Sequence, residues 1–367
     1  MKVISRRSLL TLPLAAACTR RQNLVSSYAF VANQEGGAIA AVDLDALAVT
    51  RHIPVKGSPM QVLAGNKRPS VYALTPETGT VHEIQTANLR LTRTLTVSSS
   101  AASMLLSGDE QSLLILSGDP KSVLAVDLET FKVSWRLPLP EMPVDFTLAY
   151  DGKNAGLTLA NSVRLLDLTT RQVSRPLGEG DFGALRFLSN GETLIAANRA
   201  ERLVSVYHVA SQRLMTHLPV VLRPDQMCFD HSGGQLFVTG EGMDAVVVIY
   251  PYYTPRIGMT LLAGRGPAAM DTSSELLFVA SPQSGDVSII NIEAYKLIGV
   301  AQVGNDPGFI KVTPDERYAL VLNRSSGDIA VLSVRTITKN ANRYKTAALL
   351  TVIPVGSRPV SAAVRGV

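Results

Sequence analysis

The residues able to do chemistry in this chain are five histidines (His52, His82, His208, His217, His231), two cysteines (Cys18, Cys228) and arginines spread along its length. No two histidines stand at a metal-ligand spacing. A Gly-x-Ser-x-Gly elbow is missing, so a hydrolase nucleophile lacks its usual setting. There is no Cys-x-x-Cys-His to attach a haem and no Gly-x-Gly-x-x-Gly to open a nucleotide-binding helix. Asp43-Leu-Asp45 lacks the glycine and distal glutamate of a calcium loop. What is left is cation and carboxylate chemistry, and its placement depends on the elements that carry it.

Those elements repeat. The clearest unit is Leu277-Phe-Val-Ala-Ser-Pro-Gln-Ser-Gly-Asp-Val-Ser-Ile-Ile-Asn-Ile292, then Leu297-Ile-Gly-Val-Ala-Gln-Val-Gly304, then Asp306-Pro-Gly-Phe-Ile-Lys-Val-Thr-Pro-Asp-Glu-Arg317. Short β-branched runs separated by Gly, Pro, Asn, Asp and Ser read as strands and turns. They are labelled b, c, d, and then a, which opens the next unit. Strand b recurs at Phe30-Val-Ala-Asn33, Ala73-Leu-Thr-Pro76, Ile115-Leu-Ser-Gly118, Leu157-Thr-Leu-Ala160, Ile195-Ala-Ala-Asn198, Phe237-Val-Thr-Gly240, Phe278-Val-Ala-Ser281 and Val321-Leu-Asn-Arg324. Strand a begins near Pro59, Ala101, Pro143, Gly183, Pro224, Pro267, Pro307 and Pro359, at intervals of 42, 42, 40, 41, 43, 40 and 52 residues. The last interval holds an insertion around Thr338 to Ala348.

A four-stranded unit at this period is a propeller blade. The expected fold is all-β, a β-propeller of eight four-stranded blades, with seven as the alternative. The first unit lacks a strand a, and Val360-Ser-Ala-Ala-Val-Arg365 supplies one, so the C-terminal strand is expected to close the ring on the first blade. The chain has 367 residues, 46% hydrophobic and 18% charged, which is ample for a large core.

The start, Met1 to Cys18, has a basic end and a short apolar stretch from Leu9 to Ala17, the pattern of a signal peptide over residues 1–17. Ser5-Arg6-Arg7-Ser8-Leu9-Leu10 resembles a twin-arginine export signal, with Leu9 where Phe is common. Leu14-Ala-Ala-Ala17-Cys18 resembles a bacterial lipobox, which implies lipid on Cys18. Ordinary cleavage before Cys18 is the competing reading. Residues 18–27 then form a tether and 28–367 the propeller. No internal run of 18 uncharged apolar residues follows. Without Lys2, Arg6 and Arg7, 32 basic and 30 acidic residues remain, a net +2, which offers no electrostatic case for nucleic acid.

Phe30-Val-Ala-Asn33, Phe237-Val-Thr-Gly240, the Ser-Gly-Asp-Val-Ser-Ile-Ile-Asn segment and Val-Thr-Pro-Asp resemble the repeat of bacterial YVTN-type propellers, over about residues 28 to 367. Trp-Asp and Gly-His signatures are absent, which argues against the WD40 group. The resemblance implies the fold and, at most, a channel face for ligands.

That face is formed by the d-to-a and b-to-c loops. In blades 5 to 8 and the closing strand it collects Arg199, Arg202, Arg223, Arg265, Arg324 and Arg358; in blades 1 to 4, Glu35, Glu77, Asp119, Glu141, Glu179 and Asp181. Guanidinium forks suit carboxylate or phosphate. Arg199, Arg223, Arg265, Arg324 and Arg358 are therefore candidate ligand residues for an anion at the channel mouth, with Arg223, Arg265 and Arg358 foremost. The alternative is solvated charge paired locally with Glu201, Glu241, Asp225 and Asp306.

Cys228, in the apolar run Gln226-Met-Cys-Phe229, reads as a buried small hydrophobe. His52 and His217 take equivalent places in outer strands four blades apart. Ile249-Tyr-Pro-Tyr-Tyr-Thr-Pro255 falls in a c-to-d turn on the opposite face. The chain is expected to be a monomeric, membrane-tethered binding module for a protein, glycan or small anion, periplasmic or on the cell surface. No catalytic residue, metal or cofactor is expected. A lactonase-like enzyme and a propeller similar to the haem domain of nitrite reductases are the alternatives.

Overall fold

The computed structural model describes residues 27–339 and 348–366. It contains eight antiparallel sheets, each of at least four strands. Blade 1 pairs its b strand, Ser27–Asn33, with both Ala38–Asp43 and the final strand, Pro359–Gly366. The ring thus closes as expected. Strands a of blades 2 to 8 are Gln61–Ala64, Ser100–Leu106, Pro143–Leu148, Phe182–Phe187, Arg223–Phe229, Met270–Thr272 and Pro307–Val312.

The core lies between blades. Strands b and c are covered on both faces, so they read as continuous apolar runs, whereas strands d are mostly exposed. Phe30 and Ile39 of blade 1 pack with Val62 and Val71 of blade 2, and this arrangement recurs around the ring. The aromatic ring that opens several b strands, in Phe30, Tyr72, Phe237 and Phe278, is fully buried in that layer. Burying one such side chain contributes about 1.5–3 kcal/mol.

The polar residue that ends strand b has a structural task. Asn33 Nδ2 donates to the Val355 carbonyl at 2.7 Å and Asn323 Nδ2 to the Val303 carbonyl at 3.0 Å, each tying down the loop that enters its own blade. Thr239 Oγ1 donates to Ala268 O at 2.9 Å and Thr158 Oγ1 to Gly183 O at 3.1 Å, reaching the next blade instead. The c-to-d hairpins share a second device. Asp43, Asp127, Asp167 and Asn291 accept backbone N–H groups across the turn. Four residues later Leu47, Phe131, Arg171 and Tyr295 take left-handed φ values of 52–56° without being glycine.

Blade 4 departs from the pattern. Its outer strand is broken into Gln172–Val173 and Gly178–Glu179, both paired with Ser162–Asp167. Pro176 lies in the break and cannot donate to the ladder. In blade 8 the insertion begins earlier than the sequence suggests, with a six-residue helix, Val334–Lys339.

Candidate functional site

Strand a of each blade runs from the channel face down the central channel, so loops entering it crowd the mouth. Over blades 5 to 7 these loops enclose a cavity of about 730 Å³. Its charged lining is Arg199, Arg223, Asp225, Glu241 and Asp244. All but Asp244, which accepts from Gly266 N, form one network joined by Asp181. Asp181 accepts from Arg199 at 3.3 Å and from Arg223 at 2.6 Å. Arg223 also donates to Glu241 at 3.0 Å, and Arg199 forms a close pair with Asp225. Burial alone would lower the Arg199 pKa, but its bonds to Asp225 and Asp181 raise it.

The five candidate arginines therefore separate. Arg199 and Arg223 meet through Asp181 at the mouth. Arg324 is held by Asp306 at 2.5 and 3.0 Å and lines a neighbouring part of the channel. Arg358 lies at the closing seam, 3.6 Å from Glu35. Arg265 is exposed; its backbone N–H donates to Ser284 Oγ, and its guanidinium has no carboxylate partner among the described residues. Of the pairings weighed from sequence, Asp225, Glu241 and Asp306 are occupied as ion-pair partners, while Glu201 engages Asn198. Asp181 and Glu35, assigned to an opposing acidic half, in fact bridge to the arginines. Cys18, Arg6 and Arg7 lie outside the described residues.

Cys228 is on a strand, as its apolar run suggests, but it faces the channel. Its neighbour Met227 is the side chain that enters the core. Burial, with help from Asp271, pushes the Cys228 thiol up to about 12. His52 and His217 sit in outer strands of blades 1 and 5, paired in register with Ala40 and Ser205. Among the described residues no group of three His, Cys, Asp or Glu side chains could hold a metal ion. In the aromatic turn, Tyr252 bonds Ser189 Oγ at 2.7 Å and Tyr250 bonds Tyr295 at 2.8 Å, which leaves Tyr253 exposed.

Residues not singled out from sequence line the channel itself. Arg186 and Asp145 lie on strands a of blades 5 and 4. Burial raises the Asp145 pKa, opposed by Arg186 and Arg199 and assisted by Asp225. Lys311 pairs with Asp271 at 3.1 Å across blades 7 and 8. A charged residue inside an inner strand was the signal available: Leu185-Arg186-Phe187 and Val144-Asp145-Phe146 place a charge between apolar neighbours.

Fold and site define a closed eight-bladed β-propeller with a walled cavity at one mouth of its channel. Known structures share that architecture. The chain is similar to the dihydro-heme d1 dehydrogenase NirN in complex with DHE, with TM-score 0.74 and 12% identity over 92% of this chain and 74% of that one. It is also similar to apo AztD from Citrobacter koseri, with TM-score 0.67 and 12% identity over 93% and 98%. Hydrazine synthase of Kuenenia stuttgartiensis matches with TM-score 0.59 and 14% identity over 75% and 95%. At such identities the likeness is one of fold. No family model and no curated protein matches the sequence.

Proposed function

We propose that this protein is a non-catalytic binding propeller of the YVTN-like repeat group, exported and tethered through Cys18, whose ligand enters the channel mouth over blades 5 to 7. The observation that carries the reading is the cavity of about 730 Å³ walled by the Arg199–Asp181–Arg223 network. Its size is that of a small-molecule site. Its lining includes no histidine, cysteine or serine, and its one hydroxyl, Thr239, is spent on the Ala268 carbonyl, so it offers polar recognition. A ligand with an anionic group would displace a carboxylate from Arg223, whose pairing is solvent-exposed and weak, and Arg265, in the loop that supplies Gly266 and Pro267 to the lining, would be the second cation for it. The polypeptide outside the propeller supplies only the anchor in this reading.

The likeness to a propeller in complex with DHE raises a second reading, a haem-type cofactor in the mouth. The residues do not fit such a group. Met243 is the one soft ligand in the lining, and no histidine or cysteine is there to hold an iron. A lactonase-like site would need a histidine that the lining lacks.

Native mass spectrometry of the protein purified from its own membrane tests both parts of the reading. The expected spectrum carries a lipid on Cys18 and a retained small molecule. That molecule should be lost from an Arg223→Ala/Arg265→Ala double variant. Retention in the double variant would refute the mouth site, and an unlipidated Cys18 would refute the tether.

A further inference from the structure

A second cavity of about 450 Å³ lies inside the ring, bounded by inner strands of blades 5 to 8. It adjoins the mouth, sharing Asp225, Gln226 and Ala268 with it. Its charged lining is Arg186, Asp225 and Arg324. Two of these are engaged: Asp225 by Arg199, Arg324 by Asp306. Arg186 is different. Its Nη1 donates to the Leu185 carbonyl at 2.7 Å, and no carboxylate forms an ion pair with it among the described residues. Asp145 feels its field but makes no ion pair with it. A guanidinium carries five N–H donors in a planar fork, so most of this one is unspent. Ala269, Met270 and Phe309 give the same cavity an apolar wall.

A half-buried cation with open donors beside an apolar wall is chemically specific. A bare inorganic oxyanion would satisfy the fork and leave the wall unused. A neutral apolar molecule would cover the wall and leave a desolvated charge unpaired, which is costly. We propose that the channel holds a second binding site, independent of the mouth, for a small organic carboxylate with an apolar body. The carboxylate docks in the fork of Arg186, bidentate as this pair prefers. The body lies on Ala269, Met270 and Phe309. Arg324 stays with Asp306 and closes the channel-face side of the site.

Cys228 lines the same cavity and reports on its occupancy. Its thiol is held protonated by burial, so alkylation is slow and sensitive to anything that blocks access. The experiment measures Cys228 modification by iodoacetamide in the full-length protein, read by peptide mapping, with octanoate, octanol or inorganic phosphate present. Octanoate is expected to slow labelling about tenfold or more, with octanol and phosphate leaving it near the free rate. Arg186→Met should abolish the octanoate effect, whereas Arg223→Ala should keep it. If the Met variant melts early, Arg186→Gln, which keeps a polar group but no charge, provides the same comparison. Equal protection by octanol or by phosphate would overturn the assigned ligand class. Protection that survives both Arg186 variants would overturn the role of the fork. Loss of protection in Arg223→Ala would transfer the effect to the mouth and refute an independent inner site.

Discussion

The two sides of the channel solve one problem with different chemistry. Neighbouring inner strands must be joined by side chains, because their backbones pair within blades and not between them. On the side of blades 1 to 3 the joints are hydrogen bonds without an ion pair among the described residues, and Arg365 itself donates to the Asn66 carbonyl at 3.4 Å. Ser361 Oγ accepts from Val62 N at 3.2 Å, and the Gln61 amide bonds Met104 at both ends, at 2.8 and 2.9 Å. On the side of blades 5 to 8 ion pairs are added to a neutral joint, Thr272 Oγ1 donating to the Phe229 carbonyl at 3.1 Å. Asp271 accepts from Val312 N at 2.8 Å and pairs with Lys311, and Asp225 pairs with Arg199. Strands b and c keep the same apolar packing on both sides. The difference therefore belongs to the surface of the channel and not to the core. If the charge there serves binding, as proposed, its removal should leave the fold standing.

The strongest test of that division contrasts core and channel aromatics. Phe278→Ala removes a fully buried ring and should cost about 3–5 kcal/mol, whereas Phe309→Ala, on the channel wall, should cost well under half of that. Comparable losses in denaturant midpoint would erase the distinction.

A smaller effect is expected at Glu83, the largely buried carboxylate on the side of blades 1 to 3. Burial alone would raise its pKa, but Arg93, bonded to it through Nε and Nη2, holds it below the ordinary glutamate value. Because the folded value is depressed, the associated stability is complete above the ordinary value and is lost as pH falls through the folded one. Arg93→Met should cost about 1–2 kcal/mol at neutral pH, discounted for the partial exposure of Arg93. Burial is then opposed only by the hydroxyls of Ser70 and Thr92, so acid unfolding should begin at a higher pH than in the parent. Identical pH profiles for parent and variant would show that the pair does not stabilise blade 2.

The smallest effect sharpens the comparison most. Asp271→Asn leaves a carbonyl for Val312 N but removes the pair with half-exposed Lys311. It should change stability by less than about 1 kcal/mol. A larger loss in thermal melting would mean that channel charge is part of the fold after all.

Much of the architecture was legible because it rests on local chemistry. Strand b motifs such as Phe278-Val-Ala-Ser281 and turns such as Pro314-Asp-Glu-Arg317 state their roles within a few residues, so blade number and closure could be counted. The outer strand of blade 4 was less legible, because Pro176 alone signals its break. The site was only partly legible. Loop position identified Arg199 and Arg223, but their shared partner Asp181 stands 18 and 42 residues away and meets them through ring curvature. Arg186 was hidden for another reason. Which side of strand a faces the channel depends on bulges, such as the shift between Phe182 and Leu185. A one-residue slip exchanges core for channel, as at Met227 and Cys228.

The closing strand also sets a clock for the chain. Blade 1 needs Pro359–Gly366 beside Ser27–Asn33, so a strand made early waits for one made more than 300 residues later. Until then its edge is unsatisfied, and Phe30 and Ala32 lack part of the cover that Ala363 provides. A nascent or truncated chain that lacks the closing strand therefore presents an open template, and the circular architecture is acquired only when that strand arrives. Proteolytic or translational loss of a few C-terminal residues should for that reason resemble loss of a whole blade.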